Sequence, residues 1–227
     1  FFALQARRMR AYEREICLRA TRVIAVSDID AQRMREMFGV DYGGDSVRAA
    51  NAAAEAAGVA QLARFEQGDA ERLPVADASF DAIICECAFC TFPGKREAAS
   101  EFVRVLKPGG RVGLSDLSRA GDVPPDLQNL LAWIACIADA QPVDSYVRYM
   151  REAGLHVDAV EDHDDALADL VHDIRTKLMG AELLVKLKKI DLPTVNFDEA
   201  RAMARAASDA VRNKQFGYTV ITATGPA

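Results

Sequence analysis

The chain has 227 residues, 50% hydrophobic and 27% charged, which describes a soluble globular protein with room for one sizeable α/β domain. Its 28 basic and 34 acidic residues leave a net charge of −6, which excludes a broad nucleic-acid surface built on a basic field. The longest apolar run, Leu130 to Ala138, is too short to span a bilayer; five cysteines in no regular framework, with no signal peptide in view, point to a reducing, cytoplasmic setting.

In chain order, residues 1–20 carry a helical stripe of Leu4, Met9, Tyr12, Ile16 and Cys17, with five arginines read as a solvated face. Arg22–Val26 reads as a buried strand. Ser27 or Asp28 caps a helix expected from Asp30 to Phe38 and closed by Gly39. A short apolar strand then reaches Asp41, and an alanine-rich helix runs from Val47 to Ala57, stopping at Gly58. Its Ala49, Ala50, Ala53 and Ala54 let it lie close against a sheet. Strands follow at Leu62–Phe65 and Phe80–Cys85, divided by a turn containing Pro74, Asp77 and Ser79. A helix from Lys95 to Leu106 leads through Lys107-Pro108-Gly109-Gly110 into a strand at Arg111–Asp116. This alternation predicts βαβ units with right-handed crossovers in a parallel sheet. Beyond it come helices at 126–140, 146–153, 166–189 and 199–213, the last capped by Asp198. Strands are expected at Val157–Val160 and Tyr218–Ala223.

Parallel α/β sheets hold ligands at the carboxyl ends of their strands. Two acidic residues fall there. Asp41 can grip a ribose diol through both carboxylate oxygens, or simply cap its loop; Asp69, in Gly68-Asp69-Ala70, can accept from a ligand donor or cap its own turn. Cys85, Cys87 and Cys90 suggest zinc, but no fourth ligand lies nearby and His156, His163 and His172 are scattered, so no metal site is assigned. Strand alternation places Cys85 and Cys87 on one face, without Cys90.

From Val40 onward, four motifs occur in order: Val40-Asp41-Tyr42, Gly68-Asp69-Ala70-Glu71-Arg72-Leu73-Pro74, Ser79-Phe80-Asp81 and Arg104-Val105-Leu106-Lys107-Pro108-Gly109-Gly110. Together they resemble class I S-adenosylmethionine-dependent methyltransferases. The resemblance implies a Rossmann-like α/β fold, mostly parallel with an antiparallel last strand, and helices at about 126–153 and 166–213 as a lid. It implies S-adenosylmethionine as cofactor, with Asp41 on the ribose hydroxyls and Asp69 on the adenine amino group. Tyr42, Gly68, Ala70 and Glu86 complete the implied cofactor set, and Lys107 to Gly110 is structural. Glu86-Cys87-Ala88-Phe89 and Phe92-Pro93-Gly94-Lys95 are similar to the arsenite methyltransferases and their relatives. That similarity makes Cys87 and Cys136 substrate thiolates, with Glu86 the nearest candidate base; the competing reading packs both cysteines in a pocket wall. The group's remaining thiol has no counterpart here, and asparagine is common where Glu86 stands. The implied partner is a small molecule, with no nucleic acid or membrane, for a monomer or homodimer.

Residues 1–40 fit this family less well. Tyr12-Glu13-Arg14, Arg22 to Asp28 and Met37-Phe38-Gly39-Val40 resemble a segment of GT-B glycosyltransferases that holds none of their sugar-nucleotide site. The methyltransferase family's glycine-rich turn after the first strand is replaced by Val26-Ser27-Asp28-Ile29-Asp30, with no glycine before Gly39. Val23–Val26 still has the apolar character of a first strand. The alternatives are a methyltransferase, a folded remnant without cofactor grip, and a glycosyltransferase fragment.

Overall fold

The computed structural model describes residues 23–25, 37–122, 137, 139–193 and 195–227, with side chains from Met37 onward. The expected helix over residues 1–20, most of that at 126–140, and Cys136 lie outside the described residues.

Seven strands form one sheet: β1 (Val23–Ala25), β2 (Met37–Asp41), β3 (Ala63–Gln67), β4 (Phe80–Glu86), β5 (Leu106–Arg119), β6 (His156–Asp162) and β7 (Phe216–Thr224), in the order β3-β2-β1-β4-β5-β7-β6. β1 to β5 pair in parallel, and β7 enters antiparallel to both β5 and β6. The Rossmann-like sheet with an antiparallel last strand is therefore present. β1 lies inside the sheet between β2 and β4, with Ile24 in register with Phe38 on one side and Ile83 on the other.

Strand alternation builds two layers. On β4, Ala82 and Ile84 face one core while Ile83 and Cys85 face the other. The first core receives Ala54 of α1 (Gly44–Ala56), Leu167 of α4 (Asp164–Lys186) and Ala210 of α5 (Phe197–Arg212). The second receives Phe102 of α2 (Lys95–Val105) with Tyr146 and Met150 of α3 (Val143–Glu152), all three fully buried. Helix α3, expected in the lid, is thus part of the core layer. Its carboxyl end is closed by Gly154 at φ +103°, a conformation that suits glycine.

The motif residues brace this frame. Lys107 Nζ contacts both oxygens of Asp81 at 2.9 and 3.0 Å, tying the start of β5 to the start of β4. The Asn51 side-chain amide on α1 donates to Phe65 O at 2.8 Å and accepts from Phe65 N at 3.0 Å, extending β3 as a further strand would.

Four expectations are corrected. Met37 and Phe38 belong to β2, so the helix expected through Phe38 cannot extend past residue 36. Gly39 is not a helix stop: a Cβ there would lie 2.2 Å from the Phe65 ring, so the glycine makes room for an aromatic packed over β2. Helix α5 is capped by Asn196, whose side chain accepts from Glu199 N at 3.2 Å, rather than by Asp198. Asp139 lies in a turn and Gln141 forms an isolated bridge to Ser118, so the expected helix does not extend through Ala140.

Replacing Gly39 by Ala should destabilise the domain by about 1–3 kcal/mol in urea titration, the usual cost of overpacking. Adding Phe65→Leu should recover part of that loss. Additive costs in the double variant would show that the ring is not the constraint.

Candidate active site

All five parallel strands end at one rim, and the candidate residues follow its edge. Asp41 closes β2 and Gly68-Asp69 follow β3; the two tips are joined by Gly68 N–H donating to Asp41 O at 3.0 Å and Gln67 Nε2 donating to Tyr42 O at 3.1 Å. Gly68 is crowded on both sides, since a Cβ would lie 2.9 Å from Pro74 Cδ and from Val40 Cγ1. Ala70 is buried beside it, while the Tyr42 side chain is 80% exposed.

Each carboxylate is oriented by one backbone donor. Gly43 N–H donates to Asp41 Oδ1 at 2.6 Å, and Glu71 N–H to Asp69 Oδ1 at 2.9 Å. The capping reading of both residues is therefore realised. It engages one oxygen of each, and a carboxylate offers two, so capping and ligand binding are compatible. Two adjacent, oriented acceptors with an apolar floor suit the hydroxyls and amino group of a nucleoside.

The loop carrying Asp69 is held from below. Arg104 on α2 donates to Leu73 O at 3.0 Å, Val75 O at 2.9 Å and Asp77 Oδ1 at 2.6 Å. Glu101 holds this guanidinium at 2.7 Å and accepts from Leu73 N at 2.7 Å. These contacts drive Glu101 below the usual carboxylate range and Arg104 above its own. Glu71 Oε1 reaches the next loop, accepting from Gly94 N at 2.7 Å.

At the tip of β4, Glu86 is half-buried in register with Ser115, and Cys87 follows with φ +47°. A left-handed backbone is costly for a residue with a Cβ and marks a site held by its surroundings. Here Cys87 N–H donates to Ser115 O at 2.8 Å, and its Sγ lies 3.5 Å from the Tyr218 hydroxyl. The turn carries Cys87 onto the first core's side, whereas Cys85 and Cys90 lie in the second. The expected shared face of Cys85 and Cys87 is thus corrected, because regular alternation stops at Glu86. Burial of Tyr218, with Cys87 beside it, pushes its phenol well above the usual range.

Behind the rim sits an acid that sequence reading passed over. Asp116 is fully buried, accepts from Cys90 N at 2.7 Å and Leu117 N at 2.8 Å, and has its pKa raised by burial from 3.8 to about 6. Lys95, 4% exposed, opposes that rise and pairs with Asp139 at 2.6 Å while donating to Phe92 O. Burial, then Asp116, raises the Cys85 thiol well above its ordinary value, so this cysteine is a packing residue. Tyr146 completes the network, donating to Leu117 O at 3.0 Å. Arg104 was legible as the i+3 partner of Glu101; nothing in the sequence marked Tyr218 or Asp116.

Comparison with known proteins supplies the chemistry. A family model described as a methyltransferase domain matches residues 23–114, beginning at β1. The chain is 32% identical over 195 residues to a 27-O-demethylrifamycin SV methyltransferase of Amycolatopsis mediterranei, covering 83% of this chain and 68% of that one. It is 32% identical over 108 residues to an arsenite methyltransferase of Halobacterium salinarum, covering 47% of this chain and 28% of the relative. A Galdieria sulphuraria structure described as a sarcosine dimethylglycine methyltransferase shares the fold, with a TM-score of 0.79 at 15% identity over 96% of this chain and 83% of that one. For several curated relatives it matches, the chain spans well under two thirds of their length.

Because Asp116 binds its proton more tightly in the fold than in the unfolded chain, its contribution to stability is full below pH about 4 and is lost as pH rises through about 6. Relative to Asp116→Asn, the native protein should lose about 3 kcal/mol across that window, read by denaturant titration at each pH. Parallel curves for the two proteins would contradict the buried-acid assignment.

Proposed function

The chain belongs to the class I S-adenosylmethionine-dependent methyltransferases, and from that premise we propose that its rim binds this cofactor and methylates a small molecule with a soft nucleophilic centre. S-adenosylmethionine is the family's methyl donor, and solved structural neighbours hold it or S-adenosylhomocysteine. When bound, it supplies a methyl group already activated on a sulfonium.

The residues' work is then binding and alignment. Asp41 takes the ribose hydroxyls. Asp69 takes the adenine amino group, Ala70 lies beside the ring, and exposed Tyr42 can stack on it. Glu86 and Cys87 face the reacting end, and Glu86 is the group placed to receive a proton from an acceptor that must lose one.

The observation that carries the substrate class is the Cys87 thiol, held at the strand tip in a left-handed turn and set against the Tyr218 hydroxyl. A thiolate at that point binds a soft, thiophilic centre such as As(III), and the arsenite methyltransferase relative supports the same reading. Cys136 is proposed as a second thiolate on sequence grounds alone.

A second reading is favoured by one observation. Only eleven residues, 26 to 36, separate β1 from β2, and none is glycine. That is near the minimum for a βαβ crossover, and it lacks the residue type that lets backbone amides approach the methionine end of the cofactor. On this reading the domain folds but grips the cofactor weakly.

Calorimetry with S-adenosylhomocysteine separates the two. The first expects saturable binding, weakened at least about tenfold in Asp41→Asn and Asp69→Ala, the loss of roughly one charged hydrogen bond. It further expects methyl incorporation into arsenite, in the presence of a thiol, to be lost in Cys87→Ser while cofactor binding persists. Absence of binding in the native chain supports the second reading. Binding with full arsenite turnover in Cys87→Ser removes the thiolate role but keeps the methyltransferase.

A further inference from the structure

Most of the large apolar side chains exposed among the described residues belong to one short stretch. Of eleven, eight lie between Ile174 and Val195, on the carboxyl half of α4 and the turn after it. Met179, Leu183 and Leu187, each more than half exposed, follow at four-residue spacing and so form one stripe. Leu167 and Val171, buried, and Leu178 and Val185, half-buried, occupy the opposite side of the helix. The stripe is therefore an additional apolar face on a helix whose core face is already filled.

The charges along it are mainly basic: Glu182, which borders the stripe, is paired with both Lys186 at 2.7 Å and Arg201, and Asp191 follows Ile190. From Leu183 to Ile190 the chain reads Leu-Leu-Val-Lys-Leu-Lys-Lys-Ile, with three lysines and no acid, in a protein of net charge −6. All three lysines are exposed. Lys188 and Lys189 do not trail from the helix end: Lys188 N donates to Val185 O and Lys189 N to Leu184 O, both at 2.9 Å, which fixes their backbone against the last turn.

An apolar helix stripe edged by fixed lysines has the chemistry of a surface that lies on an anionic bilayer. A two-fold contact through the same stripe would set the lysines of two copies against each other, whereas acidic headgroups neutralise them. Helix α4 has 23 residues, yet no helix among the described residues is long and apolar enough to cross a membrane, so the contact is one of lying on the surface. We propose that the carboxyl half of α4, through Met179, Leu183, Leu187 and Ile190 with Lys186, Lys188 and Lys189, docks the protein on anionic lipid. This goes beyond the methyltransferase reading and stands independently of it.

Co-sedimentation of the full chain with phosphatidylcholine vesicles, with and without phosphatidylglycerol, tests this. The native protein should partition onto the anionic vesicles and be released by raised salt. The triple variant Lys186→Glu, Lys188→Glu, Lys189→Glu should bind about a hundredfold more weakly, from the loss of three lysine contacts with the surface. The double variant Leu183→Ser, Leu187→Ser should also lose binding while keeping its melting temperature, since both side chains are exposed. Absence of binding, equal binding to neutral vesicles, or full retention in either variant would overturn the proposal. So would a dimer, seen by light scattering, that the serine variant dissolves.

Discussion

The structure depends on a three-residue strand. β1 is hydrogen-bonded on both sides, to β2 and to β4, and it alone joins the two-stranded wing of β2 and β3 to the four strands β4, β5, β7 and β6. A parallel ladder of this kind needs its crossover to return each strand to the same end of the sheet. Because it does, Asp41, Asp69 and Cys87 come to one rim, although 46 positions separate the first from the last. The second tie between the halves is made of side chains: Arg104 and Glu101 on α2 grip Leu73 to Asp77 in the loop that follows the Asp69 turn. One join is backbone, the other is charge-assisted, and together they set the spacing of the site's two acceptors relative to the tip of β4.

Each functional candidate on the rim is oriented before any ligand arrives. Asp41 and Asp69 are aimed by their own neighbouring amides, and Cys87 by its contact with Ser115 O and by the turn that ends β4. Such preorganisation removes part of the ordering cost of binding. It also explains the choice of residues. Gly68 is required because Val40 and Pro74 close on it, and Gly94 because the Glu71 carboxylate occupies the space a Cβ would take. The buried acid Asp116 serves the same end from behind, holding the backbone of Cys90 and Leu117 where β5 meets the short helical turn at Phe89–Thr91.

Much of this was legible from sequence. The strand–helix alternation and the acidic strand tips lie in local patterns that periodicity and turn chemistry read directly, whereas Lys107 to Gly110, expected as a turn, falls within β5 as an irregularity of its pairing with β4. What escaped involves partners distant in the chain. Gly39 looks the same whether it stops a helix or yields to an aromatic ring, and only Phe65, on the neighbouring strand, decides between them. The Cys85–Cys87 alternation fails because Cys87 turns left-handed after the strand ends, a choice made by Ser115 and Tyr218 across the sheet. Tyr218 carries no motif; it reaches the site because β7 runs antiparallel and brings it opposite Leu117. Asp198 lost the cap to Asn196 because two residues of slack at a helix start are beyond what a capping preference resolves.

The central claim is that the tips of β2 and β3 form the nucleoside half of a methyl-donor site. A crystal structure of the chain with S-adenosylhomocysteine tests it most directly. The account predicts the ribose hydroxyls on the Asp41 carboxylate, the adenine beside Asp69 and Ala70, and the sulfur directed toward Cys87. A nucleoside bound elsewhere, or with both carboxylates uninvolved, would contradict it.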